Sequence, residues 1–415
     1  MKETITLDMM QSAGIGAIAL IVGMMMTRKI ALLKRFCIPS PVSGGIVFSI
    51  ITLIVYLAFD IEITFDGTLK DVFMLAFFTS VGFQSDLKVL RQGGKTLVTM
   101  LLLLVIIIVA QDFMPLLVTK TMDVNPLVGI AAGSISMAGG HGTAGGFSAV
   151  LEEMGLEGAG TISMSAATFG LIAGSVIGGP IAERLIRKHL TAELMEPKDY
   201  EQDPALVGIE SDESTPHGHE KHLSTQEQEF QQYASATYCL LIVMALGTVA
   251  SQLLQLTGIT FPTYFGALIT AAIVRNIIEQ TRFAPKLHID KIVSTGNICL
   301  SIFLGMAMIS LKLWELQSLA LPLITILVCQ VLMMALITYF LAFRILGKDY
   351  DAAVLVAGIC GFGLGATPNA MANMSAVCYK YHYSVKPFLI VPIIGAMFVD
   401  LINTGIITMF LNWIG

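Results

Sequence analysis

Apolar residues run through this chain in long blocks, and the polar gaps between them are mostly short. Crossing a bilayer as a helix takes about 17–20 predominantly apolar residues. By that criterion the first half predicts spans over about 9–26, 42–59, 96–114 and 161–181, and a shorter apolar stretch, 72–83, is read as a fifth span between them. The second half predicts five more, over about 233–256, 262–278, 292–309, 319–343 and 388–413. Two further apolar stretches, 126–154 and 351–378, are interrupted by glycine and small polar residues. The expected fold is an all-α polytopic membrane protein.

The interruptions read SISMAGGHGTAGGFS at Ser134–Ser148 and AGICGFGLGATPN at Ala357–Asn369. A break in a membrane helix frees N–H and C=O groups, and each one left unsatisfied in hydrocarbon costs several kcal/mol. Such breaks persist where they are packed in protein or line a polar cavity. Two of them at matching places in two halves mark the binding site of a carrier.

Charge sets the expected topology. Arg28, Lys29, Lys34 and Arg35 follow the first span, Lys88, Arg91 and Lys95 the third, and Arg184, Arg187 and Lys188 the segment 161–181. Basic loops face the cytoplasm. All Lys and Arg except Lys2, Lys70, Lys120 and Lys312 then fall inside, with both termini periplasmic. Glu3 and Asp8 precede the first span and its basic residues follow it. That is the reverse of a signal peptide, so the first span is expected to be uncleaved. The stretch 126–154 must begin and end outside, as a re-entrant hairpin does.

Residues 190–232 are rich in Glu, Gln, Asp, Ser and His and hold too few apolar residues for a core. They predict a flexible cytoplasmic linker between membrane repeats at 1–189 and 233–415. His217, His219 and His222 offer either a weak metal site or incidental histidines on solvated chain.

The halves align. Pro41-x-x-x-Gly45 matches Pro262-x-x-x-Gly266, Leu87-Lys88 matches Leu311-Lys312, Gly140 matches Gly365, and Gly170 matches Gly395. The first half starts outside and the second inside, which predicts two inverted-topology repeats of five helices, each with a re-entrant helical hairpin (126–154 and 351–378). The hairpin tips should meet near the midplane.

Candidate chemistry gathers at those tips. Ser134, Ser136, Gly139, Gly140, His141, Gly142 and Thr143 form the first, and Gly361, Phe362, Gly363, Gly365, Thr367 and Asn369 the second. A half-helix N-terminus suits a carboxylate. Unwound carbonyls, as at Gly140 and Gly365, suit Na⁺. His141 is either a satisfied structural donor or a substrate contact, and proton coupling is a third role open to it.

Asp400 reads as the one acidic residue well inside an apolar span, with Asn403 on the same face. Cation coordination and a polar contact to a hairpin are both open. Asn369 and Asn373 share a helix face as cation or carboxylate ligands, or as interhelix glue. Gln111 and Asp112 close a span and read as interfacial. Gly170, Gly174 and Gly178 form a small-residue stripe for close helix packing, within the protomer or at a dimer interface.

Composition narrows the class. The chain has 415 residues, 55% hydrophobic and 13% charged, with mean hydropathy +0.77 and net charge −6. Its six cysteines show no CxxC spacing and read as buried thiols. HExxH, GxSxG and P-loop motifs are absent, so an enzyme is not expected. There is no Arg stripe or TVGYG-like filter for a channel and no folded signalling domain for a sensor.

GGIVFSI at 44–50, LKDVFMLAFFTSVG at 69–82, AGGHGT at 138–143, TFGLIAGSVIGGP at 168–180, LKLWEL at 311–316 and GFGLGATPNAMANM at 361–374 resemble the bacterial sodium/glutamate symporter family. The resemblance spans the chain apart from 190–232. It implies uptake of L-glutamate across the inner membrane with Na⁺ as coupling ion and no organic cofactor. It also implies homodimers and an elevator motion like that of citrate-type carriers, with Gly139–Thr143 and Gly361–Pro368 as signature loops. From the residues themselves, and not from the resemblance, Asp400, Asn403, Asn373, Gly140 and Gly365 are the candidate Na⁺ ligands. The alternative is another small carboxylate, aspartate or a 2-hydroxy acid, on the same fold. Lipid is the expected surrounding, and no nucleic acid partner is expected.

Overall fold

A computed structural model describes residues 3–85, 94–190, 219–258, 261–280, 287–317 and 319–414. Among the described residues the regular structure is helical except for two short strands, β1 (Glu3–Leu7) and β2 (Ile61–Phe65), which pair in parallel. Parallel strands need a long crossover. Here it is α1 (Met9–Lys29), α2 (Ala31–Arg35) and α3 (Ser40–Phe59). The pairing brings the chain back to the side it left after two spans, as the charge pattern requires. The strands themselves were not expected: each is five residues long, and they are partners far apart in sequence.

The chain continues through α4 (Thr68–Gln84), α5 (Gly94–Met122), α6 (Pro126–Ala131), α7 (Gly140–Glu153) and α8 (Ala159–His189). The second half holds α9 (His219–Gln255), α10 (Phe265–Gln280) and α11 (Ile289–Ile309). It ends with α12 (Ala320–Ile345), α13 (Tyr350–Gly363), α14 (Thr367–Lys380) and α15 (Val385–Ile414). Asp8 opens α1 through a capping box with Gln11, and Asp349 caps α13 by accepting from the Ala352 amide.

Eight helices among the described residues are long and apolar enough to span a membrane, against ten expected. The two short ones are α4, with 17 residues, and α10, with 16. At a rise of 1.5 Å per residue they reach only about 25 Å. Both pack on protein, with Phe78, Val81 and Phe83 of α4 and Ala267 and Leu268 of α10 buried. Helix α9 begins at His219, well before 233, so the end of the expected linker, with His219 and His222, is helical. Residues 191–218, with His217, lie outside the described residues, as do the basic stretches 86–93 and 281–286.

The helices sort into two packed bodies. Helices α1, α3 and α4 of the first half and α9, α10 and α11 of the second pack on one another. The second body contains α5 to α8 with α12 to α15, including both interrupted segments. Helix α8 carries the glycine stripe and lies against α13 and α14. A Cβ on Gly170 would meet the Leu364 carbonyl, and one on Gly178 the Asn373 amide, so the stripe serves packing within the protomer.

Candidate functional site

The two breaks touch. The first is a run of turns over 132–139 between α6 and α7, and the second is Leu364–Ala366 between α13 and α14. Gly140 begins α7 at φ +60°, a left-handed conformation that glycine adopts without penalty. A Cβ there would also sit 2.8 Å from the Gly365 carbonyl oxygen. Pro368 sits in the first turn of α14, where its missing N–H costs nothing.

A cavity of about 320 Å³ opens at this junction, between the two bodies. The second body contributes Gly139, Gly140, His141 and Gly142, the stretch Gly365–Pro368 with Thr367, and also Phe362 and Asp400. The first body closes the far wall with Phe77 and Asn297, among others. The first residues of α7 and of α14 therefore both face this space. Each helix N-terminus carries unpaired N–H groups and about half a positive charge.

Asp400 lines the cavity and accepts from the Thr143 hydroxyl at 3.4 Å. Asn403, one turn further along α15, is fully buried and donates Nδ2 to the Ser134 carbonyl at 3.1 Å. Its Oδ1 has no partner. Asn369 donates to the Leu171 carbonyl at 2.8 Å, and its Oδ1 is also buried and unpaired. His141 Nε2 lies 3.0 Å from the Thr168 hydroxyl. Thr168 donates its one proton to the Met164 carbonyl at 2.9 Å. His141 Nε2 must therefore carry hydrogen and donate.

Other expected site residues stand behind the wall. The Ser136 hydroxyl is 2.5 Å from the Ala131 carbonyl and 2.8 Å from that of Ser163. Asn373 donates to the Gly174 and Ala357 carbonyls at 2.9 and 3.3 Å, so it ties α14 to α8 and α13. A Cβ on Gly361 would strike the Ala370 backbone, so this glycine lets α13 and α14 approach. The Gly363 carbonyl accepts from Gln111 Nε2 at 2.5 Å.

That last bond corrects the reading of Gln111 and Asp112 as interfacial. Helix α5 does not stop at Pro115 but runs through it to Met122, which places both residues deep in the body and fully buried. Asp112 accepts from the Ser134 amide at 2.8 Å and from the Ser134 hydroxyl at 2.9 Å. Asp400 is therefore not the only acidic residue far inside an apolar helix. Gln330 on α12, also fully buried, was missed as well; it donates to the carbonyls of Gln111 (2.7 Å) and Ala132 (3.3 Å). The available signal was a polar side chain in the middle of an apolar run, which marks function or a paired contact.

A second cavity, of about 620 Å³, lies between the bodies near the far end of α7. Lys312 pairs there with Glu62 at 2.7 Å, and its backbone amide donates to the Thr161 hydroxyl at 3.1 Å. Residues 62, 161 and 312 thus share one side of the molecule. On the other side Glu183 pairs with Lys380 at 2.7 Å and with Arg187 at 2.5 Å. The two groups lie at opposite ends of α8.

The family model described as Sodium/glutamate symporter matches residues 5–383. A protein from Escherichia coli named Sodium/glutamate symporter is 36% identical over 411 residues, 98% of each chain. Its counterpart in Haemophilus influenzae is 37% identical over 403 residues, 97% of this chain and 96% of that one. The chain belongs to the sodium/glutamate symporter family.

Proposed function

We propose that this chain is a secondary transporter that takes up L-glutamate together with Na⁺. The observation that carries the reading is the meeting of two broken helices from different halves, Gly140 against the Gly365 carbonyl, on a cavity shared with Asp400. The N-termini of α7 and α14 suit the two carboxylates of the substrate. Asp400 and the unpaired oxygens of Asn403 and Asn369 suit Na⁺, whose preference is for oxygen ligands. Moving one net negative charge into a cell against 100 mV costs about 2.3 kcal/mol. One Na⁺ cancels that cost, and a second makes the cycle run inward with the potential.

The two bodies support an elevator motion, in which the second carries the site past the first. Both cavities lie along the surface between them, as such a slide needs. The two halves contribute corresponding helices to each body, which supports inverted repeats. Tyr350 at the start of α13 donates to the His382 carbonyl just past α14 at 2.5 Å, and such meeting ends support a re-entrant hairpin. We place the protein in the bacterial inner membrane as a homodimer, with the face carrying Glu62 and Lys312 periplasmic.

Uptake into proteoliposomes tests the reading. Glutamate should accumulate only under an inward Na⁺ gradient, and excess unlabelled aspartate or 2-hydroxy acid should compete weakly. Accumulation that ignores the Na⁺ gradient overturns the proposal, and stronger competition by another acid reassigns the substrate.

A further inference from the structure

Breaking α6 and α13 leaves their last carbonyls without intrahelical donors. The structure satisfies two of them crosswise. Gln111, on α5 of the first half, donates to Gly363 at the end of α13 in the second half. Gln330, on α12 of the second half, donates to Ala132 at the end of α6 in the first, and also to the backbone of Gln111. Adjacent helix residues point about 100° apart. Gln111 can therefore hold the second break while its neighbour Asp112 holds Ser134 in the first. Ser134 in turn accepts from Asn403, one turn from Asp400. All of these side chains except Asp400 are fully buried.

We infer that Gln111, Asp112 and Gln330 form a yoke that makes Na⁺ binding at the Asp400–Asn403 end and substrate binding at the second break cooperative. The inference rests on the function proposed above. Each break is held by a side chain from the same short stretch of α5, so a shift of one carries the other. A rearranged Ser134 moves Asp112, and with it the Gln111 amide on Gly363. The Oε1 atoms of Gln111 and Gln330 have no partner, so neither glutamine is anchored by its oxygen and each is held through its donor end. These are positioning residues, with no contact to the cavity.

The test is linkage measured on purified full-length protein. Glutamate Kd is determined calorimetrically without Na⁺ and at saturating Na⁺, and the ratio is the coupling factor. The wild type should show a factor of at least about 5. Gln330→Met and Gln111→Met, close in size but without the donor, should bring it within twofold of unity. A purely structural role would lower melting temperature and leave the factor in place. Gln330→Glu, which burial keeps protonated and so able to donate, is the conservative rescue: it should retain coupling that Gln330→Met loses. Wild-type coupling retained in the methionine variants overturns the yoke alone. A wild-type ratio of one overturns the proposed symport with it.

Discussion

Gly140→Ala probes the junction of the two breaks. Alanine at φ +60° carries a left-handed penalty of roughly 1–2 kcal/mol. Its methyl would also lie 2.8 Å from the Gly365 carbonyl oxygen, backbone that cannot rotate away. The two tips must separate, and the combined cost is on the order of 2–4 kcal/mol. If half of it falls on the substrate complex, KM for glutamate rises about 5- to 30-fold. The assay is initial-rate uptake into proteoliposomes at saturating Na⁺, normalised to protein incorporated. Gly179→Ala is the control, because a Cβ at Gly179 meets nothing within 4 Å; its KM should match the wild type. A Gly140→Ala KM within twofold of the control would refute the claim that these tips form the site.

Asp400→Asn should raise the Na⁺ concentration for half-maximal uptake at least about tenfold, a loss of about 1.4 kcal/mol; normal Na⁺ dependence retires this carboxylate as a ligand. Thr168→Val leaves the His141 donor unpaired in the interior and should cost about 1–3 kcal/mol of stability, seen as a lower melting temperature in detergent, whereas Thr168→Ser should restore it. Burial holds the Glu315 carboxyl above its usual value of 4.5, and this opposes the pull of Lys312. The folded state therefore binds that proton more tightly than the unfolded chain. Glu315 thus weakens the fold at neutral pH, and the loss is recovered as pH falls through its raised value toward 4.5. Glu315→Gln should raise the melting temperature at pH 7 and flatten that acid-side gain, and an unchanged pH profile contradicts the assignment.

Much of the candidate site's geometry was legible because a membrane penalises irregular backbone. Glycine runs at 139–146 and 361–365 had few explanations other than a functional break, and they do meet. The buried braces were harder to see. Pro115 reads as a helix end in water, but packing inside the body lets α5 pass through it, so Gln111 and Asp112 moved from an interface to the interior. Gln330 sits in a run of apolar residues with no neighbour in sequence to explain it, since its partners lie 198 and 219 residues away. Strands β1 and β2 carry the same difficulty, for neither has a local partner. Asn373 was placed on the correct face of α14, but that face meets α8 and not the cavity.

Thiol labelling at the junction is the most direct test of the central claim. Ala366 lies in the second break and lines the cavity in an extended conformation that cysteine accepts. Ala366→Cys, in a background with the six native cysteines replaced, should react with a small maleimide. Glutamate and Na⁺ together should slow that reaction at least about tenfold, and Na⁺ alone should not. A labelling rate that glutamate leaves unchanged at saturating Na⁺ would place the substrate somewhere else.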